Sequence, residues 1–532
     1  MGANSCSAGS LAACGNLVGA GTLVNDPFLS NPVMRLTDNT TSRADQPNVT
    51  NVADISGSGD EMHFSCDSSM VTVGSINSWA FPMNFTWGSA PTKMYATSFG
   101  NGGLYFSGAN GGMAWGHVCP SNANVLYILN GTVLGHYNLA GNCPTCTAPS
   151  VVTDFDFASS ANCLGTYTST WADFGGGDQF DTDYAVGFSK TGGQGTGTKL
   201  AVWRKGFGCR VLDTSTDTVT GDWGPTGVIP GTPCTGTIHN DKIAKVGGSA
   251  GSVLWAITGA SAGCGTSAAT QPWQWNYASS TLTGSISSAC TGVHCSGHWT
   301  EGLSTFANNP GDVAPNALTV RPLTTPGTGT GITPVYPVVA PTDSHFGWNQ
   351  LIDSQPFLGT FSRFTGLPPV AAWENEVVGF QPISSGKQYR FASTYNTGVS
   401  PYFSTQYAIG SVSQDGKYFI FSSDWMNTLG SISGGSTCVP HGPNWAASTV
   451  YAATPYLSSF PANGGVIKPT SGNAGGYSYK ASTAGTSGLA PPTWPQTVGG
   501  TVADGSTLVW TNVDAEGTTK ACRGDVFVVL LQ

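Results

Sequence analysis

Apolar residues along this chain come in short runs, either alternating with polar residues or continuous. Clusters of Gly, Pro, Asn and Asp separate them. Helical spacing is nearly absent, so the pattern predicts many short β-strands. The runs group into strand–turn–strand units beginning at 62–75, 112–139, 151–213, 238–258, 296–311, 344–362 and 404–425. Recurrence every ~45 to 70 residues predicts a propeller or solenoid.

The stretch 411–425, SVSQDGKYFIFSSDW, narrows the choice. Asp415-Gly416 suits a tight hairpin turn, since Gly tolerates positive φ. The strand after it is apolar at every position from Tyr418 to Phe421. A strand covered on both faces need not alternate, and propeller blades stack face to face around an axis. The same stretch resembles the S-x-D-G-K blade signature of TolB-like and oligogalacturonate-lyase-like bacterial propellers, with Gln414 where Pro is usual. VMRLTD (33–38) resembles the outer strand of those repeats, and CRGDVFVVLLQ (522–532) reads as a strand of the last blade. The resemblance covers residues 30 to 440 and the C-terminal strand. It implies an all-β fold, a seven-bladed β-propeller closed by N- and C-terminal strands.

Residues 445–514 differ in character. Tyr477, Tyr479, Lys480, Ala484 to Gly488, Pro492 to Pro495 and Trp510 resemble a small β module of phage tail and secreted bacterial proteins. The expected division is an N-terminal extension (1–32), a propeller (33–444), the inserted module (445–514) and a final propeller strand (515–532). Cys438 and Cys522 flank the module, and a disulfide between them would limit the entropy it adds.

Composition sets the environment. Only 9% of residues are charged, against roughly 25% in an average soluble domain. The formal net charge of −10 argues against nucleic-acid binding, which needs a basic stripe. The 14 cysteines in a Gly-rich, Lys-poor chain point to disulfides and a secreted, extracellular protein. Cys143-Pro-Thr-Cys146 has the spacing of half a zinc site or a redox pair, but with no second CxxC and no helical context it reads as a structural disulfide or free thiols. No apolar run reaches the ~18 residues of a membrane span. The N-terminus lacks the charged and apolar regions of a signal peptide, as expected of a mature chain with a start Met added.

Residues that begin the units should converge on a propeller axis. They are His63, the Trp115/His117 region, Asp173 or Asp178, His239, His298, His345 and Gln406. Imidazoles on adjacent blades suit a transition metal. Oligogalacturonate-lyase-like propellers use His and Gln in this way, so the resemblance implies that His239, His298, His345 and Gln406 hold a divalent metal, manganese or calcium, beside a uronate. The same residues also suit polar groups that line a channel and bond water or strand ends. Glu301, Arg204, Lys205 and Arg210 could serve a lyase or simply solvate strand edges. Asp178, Asp181 and Asp183 in one Gly-rich loop suit a calcium site or a solvated acidic loop. Gly247 to Gly251 matches a nucleophile-elbow pattern but lies between strands, which predicts a hairpin turn. Arg523-Gly524-Asp525 spells an adhesion tripeptide, but three residues match easily by chance and the stretch reads as turning the chain into its last strand. Asn39, Asn48, Asn84 and Asn130 begin N-x-Thr sequons. Trp299, Trp348 and Trp494 are candidates for stacking on sugar rings, or for packing between blades and within the module.

The expected protein interacts with a polysaccharide or cell-surface glycan, and as an enzyme it would be a uronate lyase. The alternative is a non-catalytic structural or adhesive scaffold.

Overall fold

The structure is a computed structural model. It describes residues 19–26, 29–38, 41, 53–54, 63–75, 79–95, 104–105, 110–139, 145–169, 171–190, 199–230, 237–244, 251–258, 271–282, 286–288, 295–310, 318–324, 329–331, 343–348, 352–362, 373, 375–394, 396, 408–423, 425, 431–437, 444–451, 453, 466–469, 479–497, 499–512, 521–522 and 524–531. Among these the secondary structure is β throughout, and no helix is long and apolar enough to cross a membrane.

The strands form successive antiparallel meanders. The first unit is built on Met70–Ser75 and Trp79–Asn84. The next two share one ten-stranded sheet, with first strands Asn110–Trp115 and Trp171–Gly177. These two strands pair in parallel, Ala172 opposite Asn110 and Asp173 opposite Gly111. Gly112 permits this approach, since a Cβ there would lie 2.6 Å from Phe174 Cβ. Four-stranded sheets follow with first strands Thr237–Ala244, Cys295–Glu301 and Asp343–Gly347. One expected boundary moves. Val152–Asp156 pairs with Val133–Asn138 and ends the preceding unit, so the next begins at Trp171.

Both chain ends enter one sheet. Gly410–Val412 pairs with Tyr418–Ser423, which pairs with Asp525–Leu530, then Pro32–Arg35, then Leu23–Asn25. The last of these lies within the expected N-terminal extension and adds a fifth strand. Phe419 and Phe421 pack against Leu358 and Val377 of the preceding unit. Ile420 packs against Phe64 and Val71 of the first unit. The strand is therefore apolar throughout because both its faces are buried. Each such side chain contributes about 1.5–3 kcal/mol through burial. Asp525 is fully buried and accepts hydrogen bonds from the Arg35 guanidinium and from Thr37 Oγ1. The Arg-Gly-Asp tripeptide thus spends its carboxylate on an internal ion pair.

Successive units pack through shared cores. The first meets the second through Met70, Met94, Met113 and Trp115. The two halves of the ten-stranded sheet share Leu129, Phe157, Phe174, Tyr184 and Phe188. Leu200 and Leu212 meet Ile243 and Trp275. Ala307 and Leu318 meet Phe346 and Phe361. Between those last two interfaces, Gln274 Nε2 donates to Leu323 O at 2.8 Å. Side by side, the first strands Trp171–Gly177, Thr237–Ala244, Cys295–Glu301, Asp343–Gly347 and Gly410–Val412 each touch the next. Radial meanders with adjoining first strands make this a β-propeller.

The first and last units repeat one turn, bond for bond. Ser65 and Ser413 hydroxyls donate to Asp67 and Asp415 Oδ1 at 2.8 and 2.6 Å. The same hydroxyls accept the N–H of Met70 and Tyr418, each at 3.0 Å. Both aspartates also accept the N–H two residues on. Ser68 and Gly416 occupy the same left-handed position, φ 58° and 70°. SCDSSM and SQDGKY are thus one structural word.

Trp445, Tyr451, Ile467, Tyr479, Trp494 and Trp510 are buried together in one cluster. The carboxylate of Asp504 accepts both the Trp445 and Trp510 indole N–H groups. Lys480, on the strand Tyr479–Thr483, is 2% exposed, and burial lowers its ammonium to about 7. Cys438 lies outside the described residues. The strands on either side of the module do pair, Ser431 opposite Cys522.

Candidate functional site

The first strand of each unit begins far from its neighbours in sequence and ends beside them in space. Thr237–Ala244, Cys295–Glu301 and Asp343–Gly347 carry His239, His298 and His345, and the first and third of these strands both touch the second. The pairing of the first two is irregular at the histidine itself. In one, the register shifts between Ile238 and Asp241, bracketing His239. In the other it shifts between Cys295 and Trp299, bracketing His298. Bulges of this kind re-aim side chains and recur next to active sites. His345 pairs regularly with Thr360 and is 2% exposed. The side chains of His239 and His298, and all of Gln406, lie outside the described residues.

A second cluster sits where the first strands turn into the second strands. In four units with longer turns the turn opens with the same bond; the short turn from Gly302 to Thr305 opens with it too, but the residue after Gly302, Leu303, is only half-buried. Ser65 N–H donates to Met70 O, Gly116 to Val125 O, Asp178 to Asp183 O and Ser413 to Tyr418 O, at 2.8–3.0 Å. The next residues are therefore equivalent: Cys66, His117, Gln179 and Gln414. All four are buried although they sit at hairpin tips. Cys66 is disulfide-bonded to Cys119. Gln414 Nε2 donates to His117 O at 2.8 Å. Asp181, from the unit beyond, accepts the His117 and Val118 N–H groups, the Asn122 amide and a bond from His117 Nδ1. Burial alone would raise Asp181, but the His117 imidazole and these donors outweigh it and hold the carboxyl far below its usual range. His63 lies two residues before the first of these turns. Burial pushes its imidazole down to about 3, so it is neutral at ordinary pH.

The three carboxylates expected to hold calcium are directed to different partners. Asp178 caps its own turn, accepting from Thr182 N and Oγ1 at 2.7 Å. Asp181 faces the His117 loop, and Asp183 pairs with the Arg204 guanidinium at 2.7 and 2.9 Å. The loop does not gather them into a cage. Among the described residues, the one group of His, Cys, Asp and Glu atoms at metal-ligating spacing is Cys163, Cys209 and Asp222, and its two sulfurs are joined as a disulfide. Cys146 is also disulfide-bonded, which removes the free-thiol reading of its motif.

The lyase cations are elsewhere too. Arg204 and Arg210 lie on the third and fourth strands of their unit, both against the Trp223 ring. Arg210 is buried and donates to Pro225 O. Glu301 is buried and accepts the Trp299 indole N–H at 3.1 Å.

The tryptophans nominated for sugar stacking are all buried. Trp299 is 1% exposed, Trp348 packs on Phe357, and Trp494 stands 4.4 Å from the Tyr479 ring. The Trp494 indole is one of the large rings that build the cluster with Tyr451, Tyr479 and Trp510. The pattern also left Gln179 and Cys66 unremarked, and it marked Gln414 only as a departure from the blade signature. Their signal was available: each follows the residue that opens the repeated turn.

No protein-family model matches the chain, and no curated protein matches it. Among solved structures it is similar to an oligogalacturonate lyase from Vibrio parahaemolyticus, at a TM-score of 0.47 and 10% identity, over 76% of this chain and 93% of that one. It is also similar to the Dos1 propeller, at a TM-score of 0.30 and 8% identity, over 67% and 74%. Likenesses this distant carry no weight for function.

Proposed function

We propose that the protein is an extracellular, glycan-interacting propeller of seven blades. Dividing the ten-stranded sheet at its parallel pair supports the count, and the sheet shared by both chain ends supports a closed ring. His239, His298, His345 and Gln406 are the groups that would hold a divalent cation near the axis. With a uronate bound, that cation would neutralise the carboxylate and favour β-elimination. The observation that carries this reading is the pair of register shifts at His239 and His298 on touching first strands. The donor set fits, since imidazole and carboxamide groups suit manganese or a similar ion. Disulfides support the extracellular setting.

The test is metal content of the purified protein together with release of unsaturated uronate, followed by absorbance, across a set of polyuronates. Bound metal lost in His298→Ala and His345→Ala supports the reading. No metal and no release from any polyuronate overturns the lyase. The burial of Trp299, Trp348 and Trp494 favours a second reading, a non-catalytic scaffold, because it removes the stacking platforms a glycan-binding face would use.

A further inference from the structure

The turn-end cluster constrains how any ligand reaches the axis. Gln414 belongs to the last unit, Cys66 to the first, His117 and Cys119 to the second, and Asp181 to the third. Gln414 reaches His117 O past the whole of the first unit, across 297 residues of sequence. A bond between turn-end loops of units that are not neighbours crosses either the axial side or the turn end of the unit between them, and either course covers this end of the axis. That intervening unit is itself tied in through Cys66–Cys119, and Asp181 holds the backbone of the same loop from the other side. Burial agrees with this placement. Gln179 is 7% exposed, whereas Phe180, the next residue of the same turn, is 54% exposed. A solvent-filled opening at this end would leave Gln179, His117 and Gln414 wet.

From these contacts we infer that the propeller axis is blind, sealed at the end formed by the first-to-second-strand turns. A ligand of the axial site therefore enters and leaves by the opposite mouth. A glycan is then held by a chain end, because a polymer cannot thread through. This second half rests on the glycan reading above.

Two measurements decide the matter separately. Gln179→Cys and Phe180→Cys each introduce one thiol at adjacent positions. With the native protein and a maleimide, the thiol at 179 should react at least about tenfold more slowly than the one at 180, because only local opening exposes it. Equal rates would overturn the seal, and circular dichroism of both variants checks that they fold. For the second half, polygalacturonate is trimmed to a series of mean lengths and binding is measured at fixed mass. Engagement of chain ends predicts that shortening tenfold raises the apparent affinity per gram about tenfold, as site concentration does in mass action. Binding that follows mass regardless of length overturns end engagement. If no polygalacturonate binds at any length, the glycan reading fails and end engagement with it, while the thiol rates still decide the seal.

Discussion

Asp525 offers the sharpest test of how the chain ends are joined. Asp525→Asn removes one charge and keeps the shape. The carboxylate is fully buried and accepts from Arg35 Nε at 3.0 Å, from Arg35 Nη2 and from Thr37 Oγ1 at 3.1 Å. Its loss takes a buried counter-charge away from the Arg35 guanidinium, itself 7% exposed. Breaking one side of a buried ion pair costs about 3–5 kcal/mol. The cost should fall on the sheet made by Pro32–Arg35 and Asp525–Leu530, whose pairing is Val33 opposite Val529 and Arg35 opposite Phe527. Hydrogen exchange of these strands, with denaturant titration, reads the effect locally. A double-mutant cycle supplies the control: Arg35→Met with Asp525→Leu should recover most of the loss, since apolar replacement of a buried pair is often neutral. A cost below about 1 kcal/mol, the level of an exposed ion pair, would refute the reasoning. So would protection lost equally in every sheet.

Other outcomes follow from the same structure. The depressed Asp181 carboxyl adds stability that is complete above the unfolded value of ~3.9 and lost as pH falls through the folded one. The stability difference between wild type and Asp181→Asn, measured by denaturation against pH, should shrink as pH falls below ~4. Lys480 shifts the opposite way in charge: its folded value, lowered to about 7, makes the unfolded chain bind more protons between pH ~7 and ~10.4, so stability rises with pH there. Lys480→Met should therefore stabilise the residues around it, by an amount on the order of a few kcal/mol at pH 7 or below, and the gain should vanish above pH ~10.4. Hydrogen exchange over 479–483 at several pH values checks this. Ser65→Ala and Ser413→Ala each delete the same two turn bonds, so each should cost about 1–3 kcal/mol, with matching loss of amide protection in its own hairpin.

The propeller was legible because its signals are local. Continuous apolar strands follow from burial on both faces, and Asp415-Gly416 sets the turn through Gly416, at φ 70°. The unit boundary near 151 was misread because strand pattern does not say which neighbour a strand joins. Val152–Asp156 suits either unit, and only its pairing with Val133–Asn138 decides. The site was legible in part for the same reason. Spacing placed His239, His298 and His345 on equivalent strands, whereas composition alone grouped Asp178, Asp181 and Asp183, which turn to three different partners.

By itself, the sequence determined what depends on near neighbours: strands, turns and the order of the units. Only the tertiary structure decided what depends on distant groups. It gave Asp525 to Arg35, Asp181 to His117, Gln414 to a loop nearly 300 residues away, and the tryptophans to cores rather than surfaces. The physical reason is that a carboxylate, carboxamide or indole carries no sign of its partner. Burial makes a partner necessary, and which group supplies it is fixed by how the units pack around the axis.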